Sequence, residues 1–177
     1  MLFCANVSQG QTGYERDKAH VYYFEDPLPG ADPTTFTRLV GARGKYLSYS
    51  RDSKHVYHIA NLVEGADAQT FFGLSNLYGR DGKNVYVRSS VLEGADPMTF
   101  NTLDNLYPGL PGVQFFAKDK NHVYFQDASS PDAATSVPRI LVGVDAPTFH
   151  ALSLNERTGN VVAADQYHKY DVYGNQI

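Results

Sequence analysis

Two short blocks alternate along this chain, and their recurrence constrains its fold more than any other feature. Asp17-Lys18-Ala19-His20-Val21-Tyr22 returns as Asp52-Ser53-Lys54-His55-Val56-Tyr57, Asp81-Gly82-Lys83-Asn84-Val85-Tyr86 and Asp119-Lys120-Asn121-His122-Val123-Tyr124. After each copy comes a second block: Gly30-Ala31-Asp32-Pro33-Thr34-Thr35-Phe36, Gly65-Ala66-Asp67-Ala68-Gln69-Thr70-Phe71, Gly94-Ala95-Asp96-Pro97-Met98-Thr99-Phe100 and Gly143-Val144-Asp145-Ala146-Pro147-Thr148-Phe149. A unit of about 30 residues cannot bury enough surface alone, so neighbouring units must share a core.

The blocks ask for different local structures. Apolar and aromatic residues flank each Asp-rich cluster, as in Tyr46-Leu47-Ser48-Tyr49-Ser50 before Asp52 and Val56-Tyr57-His58-Ile59 after it. This is a hairpin pattern, with the Asp side chain able to hold the turn backbone. In the second block Asp32 stands at an N-cap and Pro33 at the first helical position, with Phe36 and Leu39 three apart on one face. The spacing predicts a short helix, repeated with Phe71 and Leu74, Phe100 and Leu103, and Phe149 and Leu152.

The expected fold is therefore α+β: an array of about four antiparallel hairpin plus short-helix repeats. They span about 14–39, 46–74, 77–103 and 114–152, with a degenerate cap at 160–177, all within a single repeat domain (14–177) behind an N-terminal extension (1–13). Asp32, the tyrosines Tyr22, Tyr57, Tyr86 and Tyr124, and the phenylalanines Phe36, Phe71, Phe100 and Phe149 are its structural residues. In the cap, Asp165 and Tyr170 keep the spacing, but Lys169 replaces Val and no second block follows. The first three copies separate Tyr from Gly by eight residues (22 to 30, 57 to 65, 86 to 94) and the fourth by 19 (124 to 143), which places 11 extra residues within Asp127 to Val142.

Composition narrows the function classes. The chain's 13 Tyr and 10 Phe, beside no Trp, suit half-buried strand positions. A formal charge of -4 disfavours nonspecific nucleic-acid binding, which depends on cationic side chains releasing counterions. The acids gather in the middle repeats as Glu64, Asp67, Asp81, Glu93, Asp96 and Asp104. One cysteine, Cys4, makes no intrachain disulfide, and the apolar start Leu2-Phe3-Cys4 is too short to span a bilayer. A cytoplasmic location is expected, or export to the envelope if the true start lies upstream.

No motif carries catalysis, and neither a metal nor another cofactor is called for. His20, His55 and His122 share one repeat position with Asn84, a poor metal series best read as turn hydrogen bonding. Asp52, His55 and His58 are dense in sequence, but strand alternation separates the two histidines. The repeated Asp residues lack the oxygen run and distal Glu of a calcium loop. Interruptions of the plan, at Asp104 to Gly112 and Asp127 to Pro138, expose Tyr and Leu beside acids. Asp96, Asp104, Tyr107, Leu110, Asp127 and Asp132 are the candidate partner-binding residues.

Asp119-Lys120-Asn121-His122-Val123-Tyr124, with its companions and the intervening Gly-Ala-Asp-x-x-Thr-Phe blocks, resembles the bacterial DKNYY family over residues 14 to 152. The resemblance implies a bacterial protein without established enzymatic activity, some of whose relatives look like immunity proteins paired with secreted toxins. The expected function is a non-catalytic protein-binding module, and specifically an immunity protein that neutralises a cognate bacterial toxin by direct binding. The alternative is an envelope-associated structural or glycan-contacting repeat protein.

Overall fold

The structure, a computed structural model, describes residues 13–127 and 137–177. Its regular structure is almost entirely antiparallel β, in five small sheets that follow one another along the sequence. The first holds Tyr14–Arg16, Val21–Tyr23 and Asp26–Pro27. The second holds Thr37–Val40, Tyr46–Arg51, Val56–His58 and Asn61–Leu62. The third holds Phe72–Gly73, Tyr78–Arg80, Val85–Val87 and Ser90–Val91. Asn101–Thr102, Phe116–Lys118, Val123–Phe125 and Arg139–Ile140 form the fourth. His150–Ala151, Val161–Ala164 and Lys169–Asp171 form the fifth.

The Asp block is the hairpin turn that the sequence predicts. In the second sheet Arg51 pairs with Val56 and Tyr49 with His58, so Asp52 to His55 make the reversal. Tyr57 then pairs with Leu62 across a second reversal of two residues, Ile59 and Ala60. Ile59 sits at φ 57, as Phe24 (φ 55) and Arg88 (φ 54) do at the same place in their own repeats. In the fourth repeat Phe125 pairs with Arg139, so that residues 126 to 138 separate the two strands in the sequence. Thirteen residues against two account for the 11 extra residues and place the insertion at the second reversal.

The second block differs from expectation. It makes one helical turn and stops: the Phe36 N–H donates to the Asp32 carbonyl at 3.0 Å, and a strand begins at Thr37. The same bond closes at Phe71 (2.9 Å), Phe100 (2.9 Å) and Phe149 (3.0 Å). No α-helix forms at any of the four, because the residues after Phe pair with the next hairpin, as Thr37 does with Arg51. Four residues give too little intrahelical bonding to outcompete a ladder. The one α-helix among the described residues, Leu103–Leu106, lies beyond the third turn. The expected helical component of the fold is thus corrected to single turns within antiparallel β repeats. Among the described residues no helix is long and apolar enough to cross a membrane.

The chain divides into two compact units, Met1–Gly82 with Tyr86–Val91, and Lys83–Val85 with Leu92–Ile177. In the first unit, Val21, Leu28 and Tyr57 form one cluster, and Tyr49, Val56, Val63, Phe71 and Tyr86 another. In the second, Leu103, Val113, Phe116, Val123, Phe125, Phe149, Val162 and Tyr170 share a larger core. Gly79 lies beneath the Phe71 ring so closely that an added Cβ would overlap it. Gly79→Ala is expected to lower stability by about 1–3 kcal/mol through overpacking against a ring that has no free end to swing away. Urea titration would check it.

Candidate functional site

The residues that recur in the sequence meet in one repeated arrangement, and it joins one repeat to the next. Asp52 Oδ1 accepts from the Lys54 and His55 N–H groups, both at 2.7 Å, and so closes its own hairpin turn. Its Oδ2 accepts at 2.9 Å from the N–H of Asp32, the first residue of the preceding helical turn. The same reach connects Asp81 to Asp67 (3.0 Å), Asp119 to Asp96 (2.9 Å) and Asp165 to Asp145 (2.9 Å).

Two more groups complete each junction. The hydroxyls of Tyr86, Tyr124 and Tyr170 donate to Oδ2 of Asp81, Asp119 and Asp165 at 2.9, 3.0 and 2.8 Å, whereas Tyr57 donates to the Pro29 carbonyl. The Thr of the helical turn accepts from the residue after the hairpin Asp: Ser53 to Thr35 (3.1 Å), Lys120 to Thr99 (3.1 Å), Gln166 to Thr148 (3.0 Å). The side chains of Asp52, Asp119 and Asp165 are 0% exposed. Burial alone would push the Asp52 and Asp165 carboxyls up, but the N–H donors aimed at them outweigh it and hold both below the ordinary carboxylate range.

A basic residue precedes the hairpin Asp in each of the first four repeats, and Arg16, Arg51 and Lys118 turn the other way. Arg16 donates to the carbonyls of Pro33 (2.9 Å) and Phe36 (3.4 Å), Arg51 to that of Ala68 (2.5 Å), and Lys118 to those of Pro147 (3.3 Å) and Phe149 (2.7 Å). Adjacent residues of an extended chain face opposite sides. The acid therefore holds the preceding turn by its N–H, and the base holds the following turn by its carbonyls. In the fifth repeat Ala164 takes the basic position, and Asp165 keeps its whole set of donors. The segment read as a degenerate cap thus retains the acid's half of the device.

Aromatic rings follow the same offset. Each turn Phe meets the hairpin Tyr of the next repeat: Phe36 and Tyr57 at 6.3 Å between centroids, Phe71 and Tyr86 at 5.7 Å, Phe100 and Tyr124 at 5.4 Å, Phe149 and Tyr170 at 5.3 Å. Phe36 also meets a first-strand ring of its own repeat, Tyr14 (5.5 Å), as Phe71 does Tyr49 (5.2 Å) and Phe149 does Phe116 (5.7 Å). The packing unit is therefore shifted by half a repeat from the unit in which the sequence is written.

The histidine positions carry turn chemistry. His55 Nδ1 lies 3.3 Å from Asp52 Oδ2, and His122 Nδ1 lies 3.7 Å from Asp119 Oδ1. His58 is buried on its strand, 2.9 Å from the Asn76 carbonyl, and burial pushes its pKa down.

Of the candidate partner-binding residues, Asp96 is bound within its turn, accepting from the Met98 N–H at 2.9 Å and pairing with Lys120 at 2.5 Å. Asp104 is half-buried in the first turn of the helix Leu103–Leu106. Tyr107 and Leu110, expected to be exposed, are half-buried against the core around Leu103 and Val113. The physical reason is that the short helix and a 3-10 turn at Val113–Phe115 fold this interruption back on the unit's own apolar cluster. Asp127 is exposed at the start of the insertion, and Asp132 lies outside the described residues, as do Cys4 and residues 1–12 of the extension.

These features define an antiparallel β repeat protein whose junctions are buried aspartates receiving backbone N–H groups. The model of the DKNYY family matches residues 7–128, and the chain belongs to that family. Comparison with curated proteins and with solved structures gave no match. Beyond residue 128, the junction between Asp145 and Asp165 repeats the same bonds.

Proposed function

We propose that the chain is a non-catalytic protein-binding module, and specifically an immunity protein that neutralises a cognate bacterial toxin in the cytoplasm by direct binding. One observation carries the reading. The polar side chains that recur from repeat to repeat, Asp, Thr, Tyr and the basic residue, are occupied by one another and by backbone groups at the junctions. What varies between repeats is left for recognition. Glu64 and Glu93 precede the turn glycine in consecutive repeats, and both are exposed. Negative groups at such places suit a basic partner.

Affinity capture from the producing cells, with and without the product of the neighbouring gene, is the decisive experiment. A stoichiometric protein partner is expected, and its absence in both preparations would overturn the proposal. Once a partner is in hand, Glu64→Lys with Glu93→Lys is expected to slow association about tenfold at low salt, with little change at high salt. Stopped-flow mixing at two ionic strengths reads this directly.

A further inference from the structure

We infer that the edge of the first repeat docks a Gly-x-Asp-x-x-Thr-Phe turn carried by another polypeptide. The inference deepens the protein-binding reading and rests on it, naming both a surface and the chemistry it takes. The chain itself displays that chemistry at four junctions, where a turn of this sequence donates its Asp N–H to a hairpin Asp.

Asp17 is built as those hairpin aspartates are. Its Oδ1 accepts from the Ala19 and His20 N–H groups, both at 2.7 Å, and its Oδ2 accepts from the Tyr22 hydroxyl at 3.1 Å. Its side chain nevertheless remains 56% exposed, against 0% for Asp52, Asp119 and Asp165. Among the described residues no turn N–H reaches its Oδ2.

Two neighbours are poised in the same way. Lys18 corresponds to Lys120, whose N–H donates to Thr99 and whose ammonium pairs with the turn's Asp96 at 2.5 Å. Lys18 itself is exposed. Tyr22 corresponds to Tyr57 and Tyr124, whose rings meet the turn residues Phe36 and Phe100, and it is half-buried. Acceptor, donor, cation and aromatic ring thus stand where the internal junctions place them. A second copy of the chain is a poor occupant, because each of its four turns already donates to its own hairpin Asp. The occupant is a turn of this type that has no hairpin Asp of its own.

The test titrates the isotope-labelled full chain with a capped peptide of residues 92–103, which contains the turn that pairs with Lys120. Amide shifts are expected at Asp17 to Tyr22. Asp17→Ala should weaken binding at least about tenfold, the loss of a charged hydrogen bond. Lys18→Glu should weaken it as well and leaves the turn bonds intact, whereas Asp17 also holds its own turn, so Asp17→Ala is read only with amide positions outside residues 17–22 matching the parent. No shifts at millimolar peptide, or shifts indifferent to Asp17→Ala, would overturn the inference. Capture of a natural partner whose affinity is unchanged by Asp17→Ala would also overturn it, while leaving the protein-binding reading intact. Peptide binding at this edge without any captured toxin would support the edge and sink the toxin reading.

Discussion

Asp165→Asn is expected to lower the stability of the unit that contains it by about 2–4 kcal/mol at neutral pH, a large share of the roughly 5–15 kcal/mol that holds a typical domain folded. The substitution hardly changes shape, so the loss comes from the pattern of donors. Asp165 Oδ1 accepts from Tyr167 N–H (2.8 Å) and His168 N–H (2.7 Å), while Oδ2 accepts from Asp145 N–H (2.9 Å) and the Tyr170 hydroxyl (2.8 Å). All four partners donate. An amide offers a single oxygen, so its NH2 must face either the two turn N–H groups or the Asp145 N–H and the Tyr170 hydroxyl. The hydroxyl can rotate and accept, but a backbone N–H cannot. One buried N–H is left unsatisfied and the charge assistance disappears from the others. Urea unfolding should show a lower midpoint with an unchanged slope. A midpoint within about 0.5 kcal/mol of the parent would mean that the carboxylate does not hold the junction.

The same geometry sets the response to acid. Asp52 and Asp165 have folded pKa values below their unfolded ones: burial raises them, and the N–H donors more than reverse it. A depressed carboxylate contributes stability that is present above the unfolded value of about 3.9 and is lost as pH falls through the folded value. The urea midpoint should therefore vary little from these two groups between about pH 7 and 5, then fall steeply below about pH 4. Asp165→Asn should flatten part of that fall.

Much of this arrangement can be read in the sequence, and the rest fails for identifiable reasons. The repeats, the hairpin at the Asp block, the insertion between Asp127 and Val142 and the burial of Phe71, Phe100 and Phe149 all follow from spacing and apolar pattern. The helix at Asp32-Pro33-Thr34-Thr35-Phe36 does not form, although its capping signals are obeyed locally. Asp32 Oδ1 accepts from the Thr34 N–H at 2.8 Å, as an N-cap would, and strand pairing then takes over at Thr37. Local rules describe how a turn starts, and tertiary pairing decides how long it lasts.

The junction itself is the larger omission. Asp-to-Asp reach across 20 residues, as between Asp32 and Asp52, leaves no periodic trace. The basic residue does leave one: Arg16, Arg51, Arg80 and Lys118 each precede the hairpin Asp, and Ala164 breaks the series where no second block follows. That alternation of acid and base at adjacent positions was the available signal for two-sided attachment. The candidate binding residues fared differently because exposure is a tertiary property. Tyr107 and Leu110 sit in a segment rich in Pro and Gly, yet apolar side chains near an unfilled core edge fold inward.

Phe149→Ala should be more damaging still, at about 3–5 kcal/mol, because it removes a ring shared by two repeats. Phe149 is 1% exposed and belongs to the main core of its unit. Its ring meets Phe116 at 5.7 Å on one side and Tyr170 at 5.3 Å on the other, so truncation opens a cavity at a junction that the Asp145 to Asp165 bond also closes. Phe36 holds the same repeat position, with Tyr14 at 5.5 Å and Tyr57 at 6.3 Å, yet it is only half-buried and less apolar surface depends on it. Phe36→Ala should accordingly cost about half as much. Phe149→Leu should fall below Phe149→Ala, since much of the volume is restored. Because Asp145 N–H reaches Asp165 only when the turn is seated, the double variant Phe149→Ala with Asp165→Asn should lose less than the two single losses added together. Unfolding curves for these variants and for Asp165→Asn, five in all, give the order and the coupling in one experiment. Equal losses at Phe36 and Phe149 would show that burial does not set the cost, and simple additivity in the double variant would show that ring and carboxylate act independently.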